Sequence, residues 1–185
     1  MRTFIALELS SEIKNELTRL VQSLALLTRN VRWVRSEGMH LTLKFLGEIS
    51  ETQAGRVAAV LDVCCRGKSP IGLRVLGAGW FPPGSKSPRV LWVGLEGGPE
   101  LASLQSGIES ALAKEGFPPE GRTFHPHLTL GRVKSPHGLQ PVLNELEKAG
   151  SLEFGRMTVS AVTFFQSRLK PEGAEYSALG RFPLS

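Results

Sequence analysis

Aspartate is almost missing from this chain. Of 17 acidic residues in 185, only Asp62 is an aspartate, and the other 16 are glutamates. A Ser-His-Asp triad, a Walker B aspartate or an Asp-rich Mg²⁺ site would have to use that one residue, which sits in a helix-like segment, or replace aspartate by glutamate throughout. Cysteine is equally scarce. Cys64 and Cys65 are adjacent, which excludes a disulfide framework and lacks zinc-ligand spacing. They read as small buried hydrophobes in a reducing compartment. No apolar run approaches the ~20 residues of a bilayer crossing. The opening MRTFIALEL is interrupted by Glu8, too early for the ~7–15 apolar residues of a signal-peptide core. A cytoplasmic location with no membrane partner is expected. Neither GxGxxG nor GxxxxGK[ST] occurs, which weighs against a nucleotide-cofactor fold.

What is present describes an ordinary globular chain. Hydrophobic residues make up 41% and charged residues 21%, with a net charge of +5, so intrinsic disorder is excluded. At this length one domain with a real core is expected, spanning 1–185. Arginine outnumbers lysine by 14 to 8. A basic balance built on guanidinium forks suits a phosphate-bearing partner.

Residues 3–9 read as a strand. Ser10 and Ser11 cap a helix whose apolar positions are Ile13, Leu17, Leu20, Val21 and Leu24. Strands follow at 31–34 and 40–46. Ser50-Glu51-Thr52-Gln53 has the form of a capping box and opens a second helix. An extended segment at 71–80, a Pro/Gly/Ser loop at 81–89, a strand at 90–95, a helix over 100–115 and a strand at 127–133 come next. A short helix near 139–149, one long β-like stretch from 152 to 165 and a closing strand around 175–183 complete the chain. Runs of consecutive strands favour an α+β fold with mostly antiparallel sheets over a doubly wound one.

The sequence also repeats itself. Phe4-Ile5-Ala6-Leu7-Glu8 resembles Trp92-Val93-Gly94-Leu95-Glu96, and each precedes a helix-like segment that leads to the same tetrapeptide. These are His40-Leu41-Thr42-Leu43 and His127-Leu128-Thr129-Leu130, 32 positions after Glu8 and 31 after Glu96. The expectation is an internal duplication, repeat 1 at about 3–46 and repeat 2 at about 90–133, forming two pseudo-symmetric sheets flanking a central cleft with helices packed outside.

On a strand, residues two apart share a face. His40 and Thr42 therefore point one way and their leucines the other, and the second copy does the same. Two such faces across a cleft supply two imidazoles and two hydroxyls. Histidine titrates near neutrality, so one copy can act as base and the other as acid while the threonines donate to phosphate oxygens. That inventory needs no metal or other cofactor, and phosphodiester hydrolysis is the reaction it suits.

The paired His-x-Thr-x motifs, with HLTLKFLGEI, FHPHLTLGRV and RVLWVGL around them, resemble the 2H phosphoesterase superfamily and its bacterial RNA 2′,3′-cyclic phosphodiesterases, also called 2′-5′ RNA ligase-like proteins. The resemblance covers nearly the whole chain. It implies a bilobal α+β fold and metal-independent opening of a terminal 2′,3′-cyclic phosphate on RNA to a 2′-phosphomonoester. It makes His40 the general acid, His127 the general base, and Thr42 and Thr129 the phosphate-binding hydroxyls. Arg132, five positions after His127, matches an arginine that neutralises phosphate, although simple alternation places it on the wrong face. The alternatives are the reverse reaction, 2′-5′ RNA ligation, and a non-catalytic module that holds an RNA end. The expected partner is RNA with a cyclic phosphate end, or a small cyclic-phosphate nucleotide, bound by a monomer.

The remaining candidates are weaker on chemistry. His125 and His127 lack a third ligand nearby for a metal, so His125 is placed at the cleft edge as an RNA contact. Phe124 is either core or a base platform. Phe45 and the tryptophans Trp33, Trp80 and Trp92 read as core, while His137, Lys86 and Arg89 read as solvated loop residues.

Overall fold

A computed structural model describes residues 1–185. In chain order the elements are β1 (Arg2–Glu8), α1 (Ser11–Ala25), β2 (Val31–Trp33), a short 3-10 turn (Ser36–Gly38), β3 (His40–Glu48), α2 (Glu51–Cys65), β4 (Ile71–Phe81), β5 (Val90–Glu96), α3 (Gly98–Lys114), β6 (His127–Val133), α4 (Gln140–Lys148), β7 (Glu153–Val159), β8 (Ala161–Lys170) and β9 (Gly173–Pro183). The helix starts follow local chemistry. The Ser10 hydroxyl accepts from the Ile13 amide, and Ser50 with Gln53 completes the capping box before α2, satisfying donors that a helix leaves orphaned at its first turn. On α1, Ile13, Leu17, Val21 and Leu24 form the buried stripe.

The strands make two antiparallel sheets, ordered β3-β1-β8-β9 and β2-β6-β5-β4-β7. The stretch expected as one strand over 152–165 is two strands in different sheets. It breaks at Ser160, so that β7 pairs with β4 while β8 pairs with β1 and β9. A run of β-forming residues reads as continuous in one dimension, and only the change of partner divides it. The halves also exchange strands: β2 joins β6 in the five-stranded sheet, while β8 and β9 extend the sheet that begins with β1 and β3.

One face of each sheet enters a single hydrophobic cluster. It holds Ile5, Leu7, Leu41 and Leu43 from the first sheet, Leu91, Val93, Leu128 and Leu130 from the second, and the apolar stripes of the helices. Each fully buried leucine contributes on the order of 2 kcal/mol, which fixes which face of each motif strand turns inward. The register between the repeats differs from the sequence match. Glu8 pairs with His40, whereas His127 pairs with Gly94, so the ladder aligns Glu8 with Gly94 and not with Glu96.

Candidate active site

Strands β3 and β6 come alongside one another where the two sheets meet. Their leucines, Leu41 and Leu43 on one and Leu128 and Leu130 on the other, enter the shared core. His40, Thr42, His127 and Thr129 therefore emerge on the opposite side, each half-buried.

Each motif is followed by a bulge at the same place. In β3 the ladder to β1 runs Ala6↔Thr42 and then Ile5↔Lys44, so Leu43 is the extra residue. In β6 the ladder to β5 runs Trp92↔Thr129 and then Leu91↔Gly131, so Leu130 is the extra residue. An inserted residue reverses the alternation of everything beyond it. The fifth residue after each histidine, Phe45 on β3 and Arg132 on β6, is thereby brought onto the His-Thr face. This resolves the parity problem of Arg132. It also overturns the core expectation for Phe45, which is 63% exposed. Bulges leave no mark in hydrophobic alternation short enough to read from four or five residues.

The fourth position turns inward in both copies and is used differently. Lys44 is buried, and its Nζ donates to both carboxylate oxygens of Glu109 at 2.9 Å and to the Pro118 carbonyl at 2.8 Å. This ties β3 to α3. Beside it, the Gln105 side-chain amide donates to the Leu43 carbonyl at 3.3 Å. In the second copy the position is Gly131, where a Cβ would lie 2.5 Å from a Val31 methyl carbon and 2.9 Å from the Trp33 ring.

The two imidazoles sit in different surroundings. His40 stacks on Phe4 at 4.7 Å between ring centroids, and Phe165 at 5.8 Å and the edge-on Tyr176 at 5.4 Å complete an aromatic box. Burial there lowers its pKa from 6.5 to about 4; nearby Lys14 pushes the same way and Glu8 opposes it. Glu8 lies directly across from His40 and is held by the Thr163 hydroxyl at 3.0 Å and by the Arg181 guanidinium at 2.6 Å. The one aromatic ring paired with His127 is Phe81, edge-on at 5.1 Å, with Trp92 behind Phe81 at 5.3 Å. Its Nδ1 lies 2.7 Å from the His125 carbonyl oxygen. Carbonyls only accept, so Nδ1 carries the hydrogen and Nε2 is left with the lone pair in the neutral ring.

His125 thus acts on His127 through its backbone, and its own side chain is exposed. Phe124 is half-buried against the core. It borders a cavity of about 380 Å³ with Leu95, Leu101 and Pro126 near the start of α3. The tryptophans are half-buried, not interior. Trp33 and Trp80 pack against the core, whereas Trp92 lies on the Thr129 face over Gly79, whose missing side chain leaves room for the ring. Cys65 is buried and Cys64 half-buried, both as free thiols, and burial raises both pKa values. His137 is exposed, as are Lys86 and Arg89 in their loop. No group of three or more His, Cys, Asp or Glu side chains gathers with metal-binding geometry, and no helix is long and apolar enough to cross a membrane.

Comparison with known proteins agrees with this fold. The family described as LigT like Phosphoesterase matches the chain twice, at residues 7–92 and 93–176. A protein of Methanothermobacter thermautotrophicus named RNA 2′,3′-cyclic phosphodiesterase is 33% identical over 100% of this chain and 99% of its own. One of the same name from Aeropyrum pernix is 38% identical over 88% of this chain and 92% of its own. Among solved structures, a Thermus thermophilus protein superposes with a TM-score of 0.84 at 29% identity, covering 100% of this chain and 98% of that one. Escherichia coli LigT complexed with 3′-AMP superposes at 0.79 with 26% identity and the same coverage.

Proposed function

The chain belongs to the LigT-like phosphoesterase family of the 2H superfamily, and from that premise we propose that it hydrolyses the terminal 2′,3′-cyclic phosphate of RNA to a 2′-phosphomonoester. The observation that carries this reading is the matched pair of motif strands, each turning an imidazole and a hydroxyl away from one common core and each followed by the same bulge.

In this mechanism His127 is the base. Its Nδ1–H is engaged by the His125 carbonyl, so Nε2 takes a proton from water as the water oxygen attacks phosphorus. The P–O3′ bond breaks, and His40 delivers a proton to the departing 3′-oxygen. A histidine with a pKa near 4 is neutral in the empty site at pH 7. The negative charge of the bound phosphate favours its imidazolium and draws in the proton that His40 then donates. Once protonated, the imidazolium is a far stronger acid than a ribose hydroxyl and gives its proton to the departing alkoxide. Thr42 and Thr129 donate to the non-bridging oxygens, Arg132 neutralises them, and Phe45 offers an open ring to the terminal base. The proton transfers fall to imidazoles, so the reading has the reaction proceed without a metal. Both motifs lie in one chain, so a monomer suffices, and two free thiols fit a cytoplasmic setting.

The test is turnover of RNA carrying a 2′,3′-cyclic phosphate, in EDTA, by wild type, His40→Ala and His127→Ala. The expected result is release of a 2′-phosphate by wild type and a loss of at least about a hundredfold in each variant. Near-wild-type rates in both variants would refute the assignment. A joined product with excess 5′-hydroxyl RNA, and no hydrolysis, would replace hydrolysis by ligation.

A further inference from the structure

We propose that Arg32, held beside Arg132, extends the phosphate-binding face into a clamp that takes a second phosphate at Arg32, the diester on the 5′ side of the terminal nucleotide, and that Arg32 thereby sets a preference for RNA chains over mononucleotide cyclic phosphates. The inference rests on the hydrolase reading above and concerns a residue which that reading does not use.

Arg32 on β2 pairs directly with Arg132 on β6, so the two side chains share one face. The bulge after Thr129 makes that face the one bearing His127 and Thr129. Like charges directly opposite on a sheet are destabilising, and ordinary surfaces relieve them with a carboxylate. Neither arginine takes part in any of the ten ion pairs of the protein. The strand cannot drift to separate them. The Val34 amide donates to the Leu130 carbonyl at 2.8 Å on one side of the pair, and the Lys134 amide to the Asn30 carbonyl at 2.7 Å on the other. Gly131 lets Val31 and Trp33 close over β6 between these bonds. Two exposed guanidinium forks are thus held side by side on a rigid ladder, and the match for them is an anion with several acceptor oxygens.

Position decides which anion. Thr129 and Arg132 lie in succession along β6, and β2 is the terminal strand of the sheet. A cyclic phosphate held between the two motifs reaches Arg132. The next phosphate of the same strand, continuing outward, meets Arg32. A nucleoside 2′,3′-cyclic phosphate has no such group and leaves Arg32 without a partner.

The test compares adenosine 2′,3′-cyclic phosphate with the dinucleotide ApA ending in a 2′,3′-cyclic phosphate, using wild type, Arg32→Gln and Arg32→Lys. Wild type is expected to show kcat/KM about tenfold higher for the dinucleotide at low salt, as a charged hydrogen-bonding contact supplies. Arg32→Gln removes that preference and leaves the mononucleotide rate unchanged, and Arg32→Lys restores part of it. The slope of log(kcat/KM) against log(salt) for the dinucleotide becomes shallower by about 0.7 in Arg32→Gln, the share of one single-strand phosphate contact. Equal losses on both substrates, a preference that survives Arg32→Gln, or no preference in wild type would each overturn the clamp. If wild type turned over neither substrate, the hydrolase reading would fail. The clamp would then be judged by anisotropy with labelled ApA and A bearing 3′-phosphates: Arg32→Gln must weaken only the former, and any other pattern overturns it.

Discussion

Burying a histidine inside an aromatic box makes the stability of this fold depend on pH in a way that one substitution can isolate. The folded-state pKa of His40 is about 4 against 6.5 for the free side chain. Above pH 6.5 the ring is neutral in both states and costs nothing extra. As pH falls below 6.5 the unfolded chain takes up a proton that the folded chain refuses, and stability declines. The decline ends near pH 4, where the folded state also protonates. The shift spans about 2.5 units, each worth about 1.4 kcal/mol, which gives a loss of roughly 3 kcal/mol. The assay is urea unfolding of wild type and His40→Gln at several pH values from 7.5 to 4. Titrations not coupled to His40 cancel in the difference, and any fixed cost of the glutamine is a constant offset. Wild type should lose about 3 kcal/mol more than the variant, nearly all of it between pH 6.5 and 4. Parallel curves would mean that the ring is not desolvated as described. Saturating phosphate should shift the wild-type curve toward that of the variant, because a bound anion favours the imidazolium.

Other substitutions probe the scaffold and the site separately. Lys44→Met should cost about 3–5 kcal/mol in equilibrium unfolding, because it strands the Glu109 carboxylate. The double variant Lys44→Met with Glu109→Leu should recover much of that loss. Gly131→Ala should destabilise by about 1–3 kcal/mol through the clash with Val31 and Trp33, while Gly107→Ala, which meets nothing, should be neutral or stabilising. Phe45→Ala should raise KM for a nucleotide substrate about tenfold, the scale of one lost base stack, with the unfolding midpoint almost unchanged. Thr129→Val should lower kcat about a hundredfold if its hydroxyl meets charge developing in the transition state, and should leave the melting temperature close to that of wild type.

Much of this was legible in the sequence because strand alternation and helix capping are local. The leucines between His40 and Thr42 and between His127 and Thr129 declare which face is core, and Ser10 and Ser50 declare where helices begin. What stayed hidden depends on partners distant in the chain. The division at Ser160 follows from which strands β7 and β8 pair with. The exposure of Phe45 follows from a bulge visible only in the ladder to β1. The two-residue offset between the sequence repeat and the ladder arises because Phe4 resembles Trp92 in hydrophobicity, whereas Trp92 occupies the place of Ala6 opposite a motif threonine. The low pKa of His40 needs Phe165 and Tyr176, which lie more than a hundred positions downstream.

The interlacing of the halves limits how this molecule can move and how it can be cut. Because β2 completes one sheet and β8 and β9 complete the other, neither half owns a finished sheet. Severing the chain in the loop between β4 and β5 would leave two fragments with raw edges, each needing the other to fold. The same lacing resists a clam-like opening about the meeting of β3 and β6, since the chain passes between the sheets four times, once through the single residue Ser160. Substrate must then come and go over the open motif face, past the exposed arginines and Phe45, and not through a hinge.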